Sequence, residues 1–227
     1  AFESLDNEGN PEGISVMIAQ ELGAYLDREV EIVDLPFSTL TSALESNKID
    51  VIIGSMGITD LRKEKIAFSD PYMYFKILSV VNNNSVVKTY EDIFTVEGVK
   101  FVAPKSFTSL DLAKEKANKP EILEFDDKST ATLELVSGNA DVFMVDALSA
   151  VSIARNYPDD LTVIYEPVDV SPIGMGIRKS DTELLKQLNE FIAKREDLGV
   201  NKRIAEAFDG ALNEMVGKGL DFYLNED

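Results

Sequence analysis

The residues best placed to do chemistry lie in the run GSMGITDLRKEKIAFSDPY, residues 54–72, where Arg62 follows a strand end rich in glycine and serine. Residues 49–53 (IDVII) form a short, apolar, β-branched run that reads as a buried strand, so residues 54–59 are the loop leaving its carboxyl end. In open α/β sheets ligands bind at that edge. Small residues there let a ligand approach backbone N–H groups closely, and arginine supplies a planar two-point fork to a carboxylate that lysine cannot copy. The same arginine read without context fits an ion pair with Asp60 or Asp70, and both roles stay open at this point.

Composition narrows the rest of the chemistry. Lys and Arg total 22 against 41 Asp and Glu, a formal net charge of −19 over 227 residues, which argues against nucleic acid or an anionic membrane as partner. There is no Cys, hence neither a disulfide framework nor a thiolate metal site. There is no His, which removes the commonest general base and metal ligand and leaves only carboxylates for an enzymatic reading. Neither a cofactor nor a metal is expected. No apolar run approaches the ~20 residues that a membrane-spanning helix needs.

The elements that must position Arg62 alternate between strand and amphipathic helix, the pattern of an α/β fold with mostly parallel sheets. Ile14, Met17, Ile18, Leu22 and Tyr25 share one helical face. So do Leu184, Leu185, Leu188, Phe191 and Ile192, and then Val200, Ile204, Phe208, Leu212 and Met215; all three stripes read as core. Strand candidates are residues 30–33, 51–53, 77–81, 101–103, 142–145 and 161–165.

The run 54–72 resembles the signature of the family 3 solute-binding proteins, the polar amino-acid receptors of bacterial ABC importers, and the resemblance extends over essentially the whole chain. NPEGISVMIAQELG (residues 10–23) is similar to the family's first helix, and LPFSTLTSALESNKIDVIIGSM (35–56) to its next helix and strand. GVKFVAPKSFTSLDLAKE (98–115) and GNADVFMVDALSA (138–150) resemble the two ligand-facing segments of the second lobe. The resemblance implies a two-lobe periplasmic-binding-protein-like α/β fold, each lobe a mostly parallel sheet flanked by helices. The chain crosses twice, near residues 74–77 and 171–175. Lobe 1 is then residues 1–75 with 176–227, lobe 2 residues 76–175, and the two crossings form a hinge.

The resemblance also implies a pocket. Arg62 matches the arginine that pairs with a ligand α-carboxylate. Asp146 matches the carboxylate that receives the α-ammonium from lobe 2, a role compatible with capping the helix ALSAVSIA. Thr108 matches the position whose N–H or hydroxyl meets the α-carboxylate at a helix entry. Ser55 matches a backbone carbonyl that accepts from the ammonium, and Phe37 an aromatic shelf under the ligand side chain, with core packing the ordinary alternative. Gly57 stands where relatives carry Ser or Thr, so a hydroxyl contact to the carboxylate is missing or replaced by backbone N–H.

The amino end, AFESLDNEGNPEG, aligns with the loop after the family's first strand. That strand, an aromatic and an acidic pocket residue, and a signal or lipid-anchoring segment are expected upstream of Ala1. The segment LDFYL near the carboxyl end packs either as an extra strand or against lobe 1. The implied function is a monomeric, periplasmic or extracellular receptor that captures an amino acid or related zwitterion and presents it to a membrane permease. The alternatives are a ligand-sensing domain of a histidine kinase or channel, and a dehydratase acting on prephenate or arogenate, which shares this fold.

Overall fold

The computed structural model describes residues 2–105 and 109–226. The chain divides into two compact units, Ala1–Tyr74 with Ser171–Asp227, and Phe75–Val170. Along the first unit, strands β1 (Ser4–Leu5) and β2 (Pro11–Glu12) form an antiparallel ladder that leads into helix α1 (Ile14–Leu26). A 3₁₀ turn at Phe37–Thr39 runs into α2 (Leu40–Glu45), followed by the one-turn helix α3 (Asp60–Lys63) and strand β3 (Ala67–Phe68). Strand β4 (Met73–Asn82) carries the chain into the second unit.

There α4 (Tyr90–Thr95), β5 (Lys100–Pro104), α5 (Ser109–Lys116), β6 (Glu121–Phe125), α6 (Lys128–Val136), β7 (Val142–Asp146) and α7 (Ala147–Asn156) alternate. Strand β8 (Leu161–Ile173) returns the chain to the first unit, which closes with β9 (Gly176–Ile177), α8 (Thr182–Lys194), α9 (Val200–Val216) and α10 (Asp221–Leu224).

The second unit is built on one five-stranded sheet of order β6-β5-β7-β4-β8. β5 pairs in parallel with β6 and β7, and β4 runs antiparallel to β7, so the sheet is mixed. Phe101, Val102, Ala103 and Val142, Phe143, Met144 and Val145 are all buried, as near-continuous apolar strands covered on both faces must be. The helices begin where short polar side chains take up orphan N–H groups: Thr89 and Asp92 form a capping box, Asp127 accepts from Thr130 N, and Asp146 from Ser149 N.

In the first unit the three helical stripes supply core. Ile14, Ile18 and Leu22 are buried, as are Leu188 and Phe191, and Val200, Ile204 and Leu212; the last stripe ends on Val216, while Met215 is exposed. Residues 30–33 are not a strand. Among the described residues no segment pairs with them, and Val30, Ile32 and Val33 are exposed, because β-branched composition makes a strand only when a neighbour takes the backbone groups. Residues 51–53 contribute one bridge, Ile52 to Gly176. The LDFYL segment is helix α10, and Tyr223 packs edge-on to Phe2 at 4.9 Å between ring centroids.

Candidate functional site

The loop that should carry the site is stitched to residues 172–176. Ile52 N donates to Gly176 O at 2.8 Å, Gly174 N to Met56 O at 3.2 Å and Ile58 N to Pro172 O at 2.8 Å. Ile52 and Met56 point inward to Leu44 and Ile66, which leaves Ser55 and Gly57 partly exposed between and beyond them. Gly174 and Gly176 make the close approach possible: a Cβ on Gly174 would lie 2.8 Å from the Ile58 side chain, and one on Gly176 3.1 Å from Ile66. In the Gly57–Ile173 bridge the hydrogen bonds are made by the flanking residues, so Gly57 turns its own N–H and C=O away from Ile173.

Arg62 reaches that outward edge. Thr59 caps α3 by accepting from Arg62 N, and the arginine's Nη1 donates to Gly57 O at 2.7 Å. The guanidinium carbon stands 5.4 Å from the Phe37 ring centroid. Neither carboxylate foreseen as an ion-pair partner takes it: Asp60 pairs with Lys63 at 3.5 Å, and the Asp70 carboxylate makes no ion pair with Arg62. With Nη1 on the carbonyl, the Nε–Nη2 edge carries no partner among the described residues, and that edge is the one suited to a two-point carboxylate contact. Gly57 N–H is likewise unpartnered there and faces the same way as its carbonyl. A side chain at Gly57 would crowd Nη1, since its Cβ would sit 3.3 Å away.

Phe37 is half exposed, so it is a shelf under Arg62 and not a core residue. Ser55 holds a left-handed backbone, φ 52°, a conformation that costs a non-glycine residue roughly 1 kcal/mol or more. Its hydroxyl donates to Glu3 Oε1 at 2.6 Å, and the Ser15 hydroxyl donates to the same oxygen at 2.6 Å. Beneath them Tyr72 is buried. Burial, and after it the negative charge of Glu3, push its phenol well above the ordinary tyrosine range, against smaller opposing effects of the Ser15 hydroxyl and Ser55 N–H. Among the described residues no hydrogen bond of good geometry satisfies that phenol oxygen.

The first unit therefore brings together Phe37, Ser55, Gly57 and Arg62. In the second, Asp146 ends β7, is exposed, and caps α7 through Oδ1 to Ser149 N at 2.9 Å. Thr108 lies outside the described residues. Glu3 was not anticipated: its partner Ser55 is 52 positions away in sequence, and no local pattern marks the pair. Arg195 is a second unanticipated arginine, but it is structural, sunk beside Tyr72 with Nη1 on Tyr72 O, and burial holds its pKa below the ordinary value. The cavity it lines with Tyr72, Ile14 and Asn201 measures about 10 Å³, room for one water and nothing larger.

Residues 1–211 match the family model of the bacterial extracellular solute-binding proteins, family 3. The chain belongs to that family. It is 28% identical over 212 residues to the L-cystine-binding protein TcyJ of Escherichia coli K12, covering 92% of this chain and 79% of that one. Among solved structures it resembles a Wolinella succinogenes DSM 1740 protein assigned as the binding component of an ABC transporter and complexed with lysine (25% identity, TM-score 0.66, 91% and 89% of the two chains). It also resembles an ancestral amino-acid-binding protein described as a precursor of cyclohexadienyl dehydratase (31% identity, TM-score 0.61, 91% and 89%). The family is one of binding proteins, and no helix among the described residues is long and apolar enough to cross a membrane.

Proposed function

We propose that this protein captures a free amino acid outside the cytoplasmic membrane and presents it, as a monomer, to the permease of an ABC importer. The observation that carries the reading is Arg62, whose Nη1 is tied to Gly57 O while its Nε–Nη2 edge has no carboxylate among the described residues. The ligand α-carboxylate takes that edge, with Gly57 N–H as a further donor, and the Phe37 ring, which lies under the Arg62 guanidinium, is the shelf for the ligand's side chain. The Ser55 carbonyl and the Asp146 carboxylate accept from the α-ammonium, and Thr108 is a further donor to the α-carboxylate. The E. coli K12 relative binds cystine and the Wolinella structure contains lysine, which supports an amino acid as the class of ligand.

Thermal-shift screening of the twenty amino acids, citrulline, ornithine and dipeptides tests the reading. A ligand at 100 times its dissociation constant stabilises by ~2.7 kcal/mol, and at least one amino acid is expected to do so. A flat screen across all of them contradicts the proposal. The site as read works by binding alone, so an assay for water loss from arogenate is expected to show no turnover.

A further inference from the structure

Ser55 holds a backbone conformation that serine does not choose for itself. Its φ of 52° lies in the left-handed region, where Cβ crowds the following carbonyl and a non-glycine residue stays only when its surroundings hold it. The hold is visible in its side chain, whose hydroxyl donates to Glu3 Oε1 at 2.6 Å. Glu3 is itself pinned. The same Oε1 accepts from the Ser15 hydroxyl at 2.6 Å, and Ser15 N, one of the N–H groups that the first turn of α1 leaves without a helical partner, donates to Phe2 O at 3.1 Å. Ser15 and Phe2 are buried, and Phe2 packs on Tyr223 of α10, a helix outside the residues that match the family. An anchored carboxylate thus grips the left-handed residue of the site loop.

The chain that leaves Ser55 carries the groups of the site. Met56 is buried and its carbonyl accepts from Gly174 N at 3.2 Å, and Gly57 O takes Arg62 Nη1 at 2.7 Å. The turn at Ser55 sets the direction in which the backbone enters Gly57, and so where the Gly57 carbonyl and the guanidinium tied to it stand. In the extended or right-handed regions that serine prefers, the backbone enters Met56 and Gly57 on a different course. We infer that Glu3 is a positioning residue of the ligand site: through the Ser55 hydroxyl it holds the left-handed turn that aims Gly57 and Arg62. Without that bond the turn is populated less, and apparent affinity falls in proportion to the fraction of molecules that still hold it. The effect on affinity rests on the amino-acid-binding reading, whereas the hold on Ser55 is measurable without a ligand.

Substitution at Ser55 separates conformation from contact. Ser55→Ala removes the hydroxyl and keeps the Cβ that disfavours the turn, whereas Ser55→Gly removes both. Backbone ¹³C shifts of the ligand-free full chain read the turn by NMR, and calorimetry with lysine, arginine, glutamine and cystine as probes reads binding. Glu3→Ala and Ser55→Ala are expected to take position 55 out of the left-handed region and to move the Gly57 amide and Arg62 Nε signals. Both should weaken every probe that the native chain binds by roughly tenfold, the factor that corresponds to the cost of a left-handed non-glycine residue. Ser55→Gly is expected to stay within about threefold of native, because glycine takes the turn unaided. Glu3→Ala made in the Ser55→Gly chain should then cost nothing further, since two changes that break one interaction do not add. Glu3→Gln, whose side-chain oxygen still accepts from both hydroxyls, is expected to behave as native. Should Glu3→Ala melt early, Ser55→Ala against Ser55→Gly carries the same test. An unmoved position 55 in Glu3→Ala, equal losses for Ser55→Ala and Ser55→Gly, or a Glu3→Ala loss that persists in the Ser55→Gly chain overturns the inference and leaves amino-acid binding standing. A native chain that binds none of the probes counts against the amino-acid reading, and the NMR comparison still decides whether Glu3 holds Ser55.

Discussion

Arg62→Ala is expected to abolish amino-acid binding without unfolding the protein, because its side chain is partly exposed and what it loses inside the chain is one bond to Gly57 O and the contact with the half-exposed Phe37 ring. Arg62→Lys should restore little, since an ammonium cannot present two parallel donors. Calorimetry on both variants checks this, and near-native affinity in Arg62→Ala would remove the residue from the site. Asp146→Asn separates two roles: asparagine caps a helix about as well as aspartate, so α7 is kept while the charge is lost. The expected loss is on the order of 2 to 4 kcal/mol for amino acids, and much less for their deaminated analogues. Equal losses for both would leave Asp146 as a cap alone. Arg62 and Gly57 could be offered as candidates because both fall in the one local run 54–72, and Phe37 because residues 35–56 resemble a family segment. Glu3 could not, because a hydrogen bond across 52 residues leaves no trace in composition or periodicity.

At the scale of elements, α1 and α9 are joined by a two-point pair, Arg203 Nε and Nη2 to the Glu21 carboxylate at 2.7 and 2.6 Å. The hydrogen bond from Arg203 holds the Glu21 pKa below its ordinary 4.5. A depressed acid pKa stabilises the fold above the unfolded value, so the pair's contribution is complete above about pH 4.5 and is lost as pH falls through the lower folded pKa. Glu21→Gln should therefore cost under about 1 kcal/mol at neutral pH, the scale of a partly exposed pair, and flatten the acid limb of the melting curve. Melts of both proteins at neutral pH and below the Glu21 pKa test it, and parallel acid limbs would sink the assignment. These helices were readable because a 3.6-residue stripe is written in consecutive sequence. Strands were read less well. Residues 30–33 have strand composition and no pairing partner, whereas β8 runs on to Ile173 through Pro167 and Pro172, which composition alone treats as breakers.

At the scale of the molecule, Arg62 belongs to the unit Ala1–Tyr74 with Ser171–Asp227, and Asp146 to the unit Phe75–Val170. The chain passes between them only at residues 74–75 and 170–171, inside β4 and β8. A ligand of amino-acid size that touches both residues stabilises whichever arrangement of the units lets it do so, by its differential affinity for that arrangement. Two short crossings are the kind of connection that serves as a hinge. The central claim is thus capture by closure, and small-angle X-ray scattering with and without a saturating amino acid tests it most directly. The account predicts a smaller radius of gyration in the presence of ligand and no change in Arg62→Ala under the same conditions. A ligand that binds tightly and leaves the scattering profile unchanged would contradict it.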